Sequence, residues 1–190
     1  DTMPTNAELL ALYKKLIITK ARNIIRNYKN IKIIGITGSF GKTSTKDFLS
    51  QILSTKFMTF TTEGSINTEI GISSAIINKL KVKKDILIAE MGAYKKGEIK
   101  AMCKITPPQI GIITGINEQH LQLFGSMDNL IKTKYELIEN IVPNGVAIFN
   151  TGNIYIREMI GWTKNKRQDL SLWGYAKEGD VRSDLVSDEN

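Results

Sequence analysis

One segment of the sequence constrains the fold more than any other, because it reads as a buried strand, a glycine turn and the start of a helix. Residues 31–43 run Ile-Lys-Ile-Ile-Gly-Ile-Thr-Gly-Ser-Phe-Gly-Lys-Thr. Gly38 and Gly41 let the backbone come close to an anion, with N–H groups and the positive end of the helix pointing at it. Lys42 can then reach the terminal phosphates, and the Thr43 hydroxyl can bind Mg²⁺. The segment therefore predicts a nucleoside triphosphate site.

The turn departs from the general phosphate-loop pattern at one position. That pattern has a glycine five residues before the Gly-Lys pair, and Ile36 stands there in this chain. The alternative interpretation is an ordinary glycine turn that is followed by a lysine by chance. The strand before the turn and the helix after it favour the phosphate loop.

Chain length and cysteine content indicate the broad class of protein. The chain has 190 residues, 42% of them hydrophobic, which is enough for one globular domain with a core. The single cysteine, Cys103, cannot form an internal disulfide, which fits a reducing compartment. No signal peptide and no apolar run long enough to cross a bilayer is visible. We therefore expect a cytoplasmic protein without a membrane span.

The charge balance indicates what kind of partner to expect. A formal net charge of +7 favours anionic partners. Nucleotides and phosphorylated substrates would account for the charge, and so would a generally lysine-rich surface. The lysines are scattered and are not interleaved with aromatic residues, so we do not expect nucleic acid to be a partner.

Apolar runs alternate with segments of helical periodicity along the whole chain. After a capping box at Thr5, a first amphipathic helix is predicted to extend to about residue 28. The helix that follows the glycine turn is expected to bury Phe48, Leu49, Ile52 and Leu53. Strands are predicted at 31–36, 57–61, 85–90, 109–114 and 146–150, and further helices at 70–80, 97–104 and 127–141. This alternation predicts a three-layer α/β/α sandwich with a mostly parallel sheet. No closing element is expected in the polar, acidic tail at 180–190.

Reactive side chains follow three of the predicted strands, at the edge where ligands bind in such sheets. The glycine turn follows the first strand. Glu90 ends the strand at 85–90, where a carboxylate can hold Mg²⁺ beside the phosphates, although a carboxylate after an apolar strand is common. His120, the single histidine, lies shortly after the strand at 109–114. It is either part of the site or an ordinary surface histidine.

Lys134 is the least expected residue of the predicted helix at 127–141. It shares a helix face with Ile131 and Ile138, and that face should be buried. A lysine that points inward is costly unless it is paired or chemically altered. The alternative is that its stem packs on the core while its amine reaches water.

Taken together, these motifs resemble the ATP-dependent Mur ligases of peptidoglycan synthesis, and most of all the members that add D-alanyl-D-alanine to UDP-N-acetylmuramoyl-tripeptide. The similarity extends in order from about Ile31 to Arg182, and the shortened glycine turn is the family's own form. The matching segments are Gly35-Ile-Thr-Gly-Ser-Phe-Gly-Lys-Thr-Ser-Thr-Lys46, Thr62-Glu-Gly-Ser-Ile-Asn-Thr-Glu-Ile-Gly71, Glu90-Met-Gly-Ala with Gly97-Glu-Ile99, Asn117-Glu-Gln-His-Leu121 with Phe124-Gly-Ser126, Lys132-Thr-Lys-Tyr-Glu136, Asn144-Gly145 to Asn150, and Trp173-Gly174 with Asp180-Val-Arg182.

The resemblance implies roles for particular residues. It implies that Lys42, His120 and Lys134 serve catalysis, and that Thr43, Glu90, His120 and Lys134 hold Mg²⁺, with Lys134 carbamylated. It also implies that ATP contacts Thr37, Gly38, Ser39, Phe40, Gly41, Lys42, Thr43, Ser44, Asn67 and Asn150. The chain departs from the family at Asn67-Thr68, where relatives often have Thr-Asn or paired asparagines, and at Gln119. These departures weaken the assignment of the substrate.

The resemblance further implies an acyl-phosphate mechanism and a larger enzyme. Residues 1–29 would be a connecting helix from a missing N-terminal domain, and residues 30–190 a central ATPase domain that is incomplete at its C-terminal end. UDP-N-acetylmuramoyl-peptide and D-alanyl-D-alanine would bind largely through the missing domains, so we expect little ligase activity from these residues alone. The alternatives are another Mur or folylpolyglutamate-type ligase, or a nucleotide-binding module without ligase chemistry.

Overall fold

The computed structural model describes residues 3–118 and 121–175. A six-stranded sheet forms the middle of the molecule, with all of its neighbouring strands parallel and in the order β2-β3-β1-β4-β5-β6. The strands are β1 (Lys32–Thr37), β2 (Thr59–Thr61), β3 (Ile86–Glu90), β4 (Ile110–Ile113), β5 (Val146–Asn150) and β6 (Ser171–Tyr175). The predicted three-layer sandwich with a mostly parallel sheet is confirmed.

The helices alternate with the strands along the chain. They are α1 (Asn6–Asn27), α2 (Lys42–Ser54), α3 (Glu69–Lys79), α4 (Glu98–Ile105), α5 (Leu121–Phe124), α6 (Met127–Glu139) and α7 (Ile154–Lys166). The capping box before α1 is present, since the Thr5 side chain accepts from the Glu8 backbone N–H while the Glu8 carboxylate accepts from the Thr5 N–H. No helix among the described residues is both long and apolar enough to cross a bilayer.

The two faces of the sheet are covered unequally. On one face a large apolar core joins α1, α3, α4, α6 and α7 to the strands. On the other face, the described part of the chain places only α2, whose Leu49 and Leu53 pack against Ile34, Ile36 and Ile88. The central strand β1 lies between β3 and β4, in register such that Ile36 is opposite Glu90. The glycine turn therefore leaves the sheet at its middle, beside the ends of both neighbours.

Two expectations about α2 were wrong, while the expectation for the tail at 180–190 lies outside the described residues. Phe48 and Ile52 are 64% and 67% exposed, because their side of α2 is turned away from the sheet and no described helix covers it. The sequence reading also missed α7 and β6. In α7 the buried residues are few, Ile156, Met159 and Thr163, and Gly161 interrupts the apolar pattern.

Candidate functional site

The glycine turn, residues 38–41, has backbone angles that only glycine adopts easily. Gly38 has φ 154° and Gly41 has φ 77°. A Cβ atom on Gly38 would lie 2.2 Å from Oγ1 of Thr114. The turn is therefore packed against the segment that follows β4, and a side chain at Gly38 would push the two apart.

Hydrogen bonds hold the turn in place from both neighbouring strand ends. The Ser39 N–H donates to the Gly115 carbonyl at 2.7 Å, and the Thr114 hydroxyl donates to the Phe40 carbonyl at 2.6 Å. On the other side, the Thr37 hydroxyl donates to the Met91 carbonyl at 2.7 Å. The position of the turn is thus fixed by the protein itself.

The Lys42 side chain folds back over the turn that precedes it. Its ammonium donates to the Gly38 carbonyl at 3.0 Å and lies 3.4 Å from the Ser39 carbonyl. Burial lowers the pKa of Lys42, and the nearby Glu90 carboxylate opposes that shift. The Ser39 hydroxyl oxygen is buried and has no hydrogen-bond partner among the described residues. Ser39 and Lys42 line the same cleft, so an unpaired hydroxyl and a cation belong to one site.

The Glu90 carboxylate is buried at the end of β3, with only 1% of the residue exposed. One of its oxygens, Oε2, accepts from the Thr43 hydroxyl at 2.9 Å, and the other accepts from the Asn67 side-chain amide at 3.0 Å. Oxygen ligands of this kind are those that Mg²⁺ prefers. The residue types at Thr43 and Glu90 thus fit a magnesium ion, although no cluster of three or more His, Cys, Asp or Glu side chains occurs within residues 3–118 and 121–175.

Asn67 lies just before α3 and is packed against the backbone after β3. The backbone carbonyl of Asn67 accepts from the Gly92 N–H at 2.9 Å. A Cβ atom on Gly92 would lie 2.7 Å from Cγ of Asn67. The next residue, Thr68, caps α3 by accepting from the Gly71 N–H. Gly92, two residues after Glu90, and the Thr68 cap of α3 together position the Asn67 side-chain amide to donate to the Glu90 carboxylate.

Lys134 points inward from α6, as its helical spacing predicted. The residue is 5% exposed, its ammonium lies 3.4 Å from the Ala93 carbonyl, and the same ammonium lies 5.6 Å from the centre of the Phe124 ring. Burial, followed by repulsion from Lys42, lowers the pKa of Lys134 to about 8, against the opposing attraction of Glu98 and Glu136. Lys134 is therefore a largely buried cation.

One small cleft unites several of these groups. Its walls include Gly38, Ser39, Lys42, Asn67 and Lys134. Side chains from the glycine turn, from the segment before α3 and from α6 therefore converge on a single space. With the Glu90 carboxylate behind Thr43 and Asn67, the cleft can accept an anion on one side and a metal ion beside it.

The remaining predicted residues take different positions. Asn150 ends β5, and its side-chain amide donates to the Thr114 carbonyl at 2.8 Å, so it supports the segment on which the glycine turn rests. Ser44 is exposed on the first turn of α2. His120 lies outside the described residues.

Sequence reasoning overlooked two residues that organise the site. Lys46 is 1% exposed and lies one helical turn after Lys42, 4.0 Å from Oε2 of Glu90. Thr114 contacts the glycine turn and, through its carbonyl, Asn150 and the Tyr175 hydroxyl. The i,i+4 spacing of Lys46 from Lys42 was a usable signal, whereas nothing in the sequence around Thr114 distinguishes it from other residues at strand ends.

The matching family model and the curated relatives both point to one enzyme family. The family described as Mur ligase middle domain matches residues 36–189. The UDP-N-acetylmuramoyl-tripeptide–D-alanyl-D-alanine ligase of Mycobacterium leprae is 33% identical over 183 residues, which is 96% of this chain and 35% of that protein. The enzyme of the same name from Bacillus subtilis is 35% identical over 118 residues, 62% of this chain and 26% of that protein. The chain thus spans about a third of the length of the curated relatives it matches.

Solved structures give the same result. MurF from Acinetobacter baumannii superposes with a TM-score of 0.79 at 29% identity, over 88% of this chain and 36% of that one. The MurF ligase of Thermotoga maritima, solved in complex with ADP, gives a TM-score of 0.74 at 31% identity, over 87% of this chain and 37% of that one.

Proposed function

The chain belongs to the Mur ligase family, and from this membership we propose that it is the nucleotide-binding part of an ATP-dependent ligase that adds D-alanyl-D-alanine to UDP-N-acetylmuramoyl-tripeptide. The observation that carries the proposal is the convergence of Lys42, Asn67 and Lys134 on one cleft beside the Thr43–Glu90 pair. Two relatives that are 33% and 35% identical over the matched residues carry that activity in their names, and one related structure contains ADP.

The phosphates of ATP are proposed to bind at the glycine turn. Lys42 would turn from the Gly38 carbonyl toward the terminal phosphates, and the buried Ser39 hydroxyl would gain the partner it lacks. Thr43 and Glu90 would hold Mg²⁺, which when bound neutralises charge on the phosphate oxygens. His120 is proposed as a ligand for a second Mg²⁺, and Asn150 as a neighbour of the nucleotide base.

The proposed reaction proceeds through an acyl phosphate. The terminal carboxylate of the peptide attacks the γ-phosphorus of ATP, the bond to the β,γ-bridging oxygen breaks, and ADP leaves. The amine of the dipeptide then attacks the acyl carbon, inorganic phosphate leaves, and the amine loses a proton as the amide forms. Lys42 stabilises the anionic oxygens in the first step, and the fixed turn orients them.

Lys134 is proposed to react with CO₂ before catalysis. Its neutral amine adds to the carbon of CO₂ and releases a proton, which leaves a carbamate anion in place of an ammonium. Burial and the pKa of about 8 supply the neutral amine, and the nearby Lys42 favours a negative charge in that position. A carbamate oxygen would be a suitable ligand for the second Mg²⁺.

The other substrates are proposed to contact parts of a longer enzyme. The relatives are about three times as long as this chain, as the 35% coverage shows, so the UDP-sugar peptide and the dipeptide would be bound largely outside these residues. We place the reaction in the cytoplasm because that compartment supplies ATP.

Calorimetry with Mg²⁺ and ADP tests the nucleotide site directly. We expect the chain to bind, and Lys42→Ala to weaken binding by about tenfold to a hundredfold, since a charged hydrogen bond contributes about 1.5–3 kcal/mol. Lys132→Ala is the matched control, because Lys132 is exposed and pairs with Asp128 on the same helix. Equal binding by the wild type and Lys42→Ala would refute the assignment.

Comparing D-alanyl-D-alanine with single amino acids as acceptors for the full-length enzyme separates the proposed ligase from a folylpolyglutamate-type enzyme.

A further inference from the structure

Lys46 is a fully buried lysine on the same helix as the proposed phosphate-binding residues. It is 1% exposed, although lysine is among the residues that are least often buried. Its ammonium donates to the Thr62 carbonyl at 2.9 Å and to the Gly64 carbonyl, and lies 4.0 Å from Oε2 of Glu90. Two of the three N–H donors of the ammonium are therefore taken by backbone carbonyls, and the buried Glu90 carboxylate lies nearby at ion-pair distance.

The two carbonyls belong to an irregular segment, which the Lys79–Glu63 ion pair and the Gly92 N–H also hold. Residues 62–68 connect β2 to α3 and lie in neither a strand nor a helix. Thr62 is buried, and a backbone carbonyl that is buried without a donor costs free energy. Lys46 supplies donors at Thr62 and Gly64, so it fastens the start of this segment onto α2.

The same segment carries Asn67 into the site. Asn67 lies three residues after Gly64. Its side-chain amide donates to the Glu90 carboxylate, and its backbone carbonyl accepts from the Gly92 N–H. Lys46 and Asn67 therefore approach the same buried carboxylate from two sides, one at 4.0 Å and one at 3.0 Å. The second acid near Lys46, Asp47, lies 3.5 Å away but is mostly exposed, so Glu90 is the buried counter-charge.

We propose that Lys46 is a positioning residue of the nucleotide site. It clamps the 62–68 segment to the helix of the phosphate loop and so sets Asn67 against Glu90. This inference rests on the proposed function, and it assigns to Lys46 no contact with nucleotide or substrate. A purely structural lysine would stabilise the fold without any specific coupling to Asn67.

A double-mutant cycle on the full-length enzyme distinguishes these roles. Lys46→Met and Asn67→Ala are each expected to lower kcat by about tenfold or more, and the double variant to fall within about twofold of the more severe single variant, because one acts through the other. Lys56→Met is the matched control, since Lys56 is exposed just after α2; it should leave kcat unchanged. Multiplicative losses in the double variant would overturn the proposal, as would a Lys46→Met variant with wild-type kcat.

Hydrogen exchange gives a readout that does not depend on catalysis. Without nucleotide or metal, Lys46→Met should speed amide exchange in residues 64–67 by about tenfold or more, while amides of α6 keep their rates. Unchanged exchange at 64–67 would also overturn the proposal. If Lys46→Met does not fold, Lys46→Gln is measured in the same cycle, because it removes the charge while a polar N–H donor remains on a shorter side chain. A wild-type enzyme that neither binds ADP nor ligates would instead refute the proposed function.

Discussion

The side-chain amide of Asn67 donates to Oε1 of Glu90 at 3.0 Å, and the hydroxyl of Thr43 donates to Oε2 of the same carboxylate at 2.9 Å. Both oxygens of a buried acid are thus held by residues from different parts of the chain. Since the donors fix the plane of the carboxylate, its orientation is determined by the protein itself.

Gly92→Ala should disturb the contact between Asn67 and Glu90. The new methyl group would lie 2.7 Å from Cγ of Asn67, so the amide must move. We expect the free energy of unfolding to fall by about 1–3 kcal/mol, as for other overpacked sites, together with weaker Mg²⁺-dependent ADP binding. Denaturant titration and calorimetry provide the two measurements.

Gly161→Ala is the control for this substitution. Gly161 lies within α7, and no atom comes within 4 Å of a Cβ atom placed there. Alanine should stabilise the helix by up to about 1 kcal/mol. A Gly92→Ala protein as stable as the wild type, with unchanged ADP binding, would show that the site tolerates a displaced Asn67.

Glu90→Gln should reduce the effect of Mg²⁺ on nucleotide binding. The substitution keeps the shape of the side chain but removes its charge, and magnesium sites depend on carboxylates. We expect the ratio of ADP affinities with Mg²⁺ and with EDTA to fall by about tenfold or more. Glu63→Gln is the control, because Glu63 is exposed and pairs with Lys79 at the surface. A ratio equal to that of the wild type would argue against a metal at Glu90.

Lys134 should take up CO₂ in a pH-dependent way. Only the neutral amine reacts, and its fraction falls about tenfold for each pH unit below the pKa of about 8. Protein equilibrated with ¹³C-bicarbonate should therefore show a carbamate carbon signal by NMR that weakens as the pH is lowered from 8 toward 6. Lys134→Arg should lack the signal and Lys132→Arg should retain it. A signal that persists in Lys134→Arg belongs to another amine.

Cys103 should be inert in the folded protein. Burial, with a further contribution from Glu136, raises the pKa of its thiol to about 12. Since the thiolate is the reactive form, we expect labelling by a thiol reagent at pH 8 to be at least about a hundredfold slower than in denaturant. Rapid stoichiometric labelling of the native protein would show that the region around α4 opens readily.

The local features of the fold were predictable from the sequence, and the long-range ones largely were not. The strand at 146–150 and the turn at 38–41 each depend on a few adjacent residues, so their sequences specify them directly. The inward direction of Lys134 followed from the spacing of Ile131 and Ile138. The meeting of Thr43 with Glu90 followed from the rule that parallel strands end at one edge of a sheet.

The errors came from packing that helical spacing alone does not determine. The apolar residues of α2 occupy more of its circumference than the sheet can cover, so Phe48 and Ile52 face outward while Leu49 and Leu53 face inward. Lys46 was overlooked because its partners, the Thr62 and Gly64 carbonyls, lie 16 and 18 residues away. A charged residue in a helix is normally taken as solvent-exposed unless those partners are known.

Thr114 binds the backbone of the glycine turn through its hydroxyl, and its carbonyl receives the amide of Asn150 and the hydroxyl of Tyr175. The segments that follow β1 and β4 are thereby held together with the ends of β5 and β6 by the protein's own hydrogen bonds. The conformational entropy of the phosphate loop is consequently lost when the chain folds, and a nucleotide that arrives later does not have to order it. More of the energy of each phosphate contact then remains available as affinity.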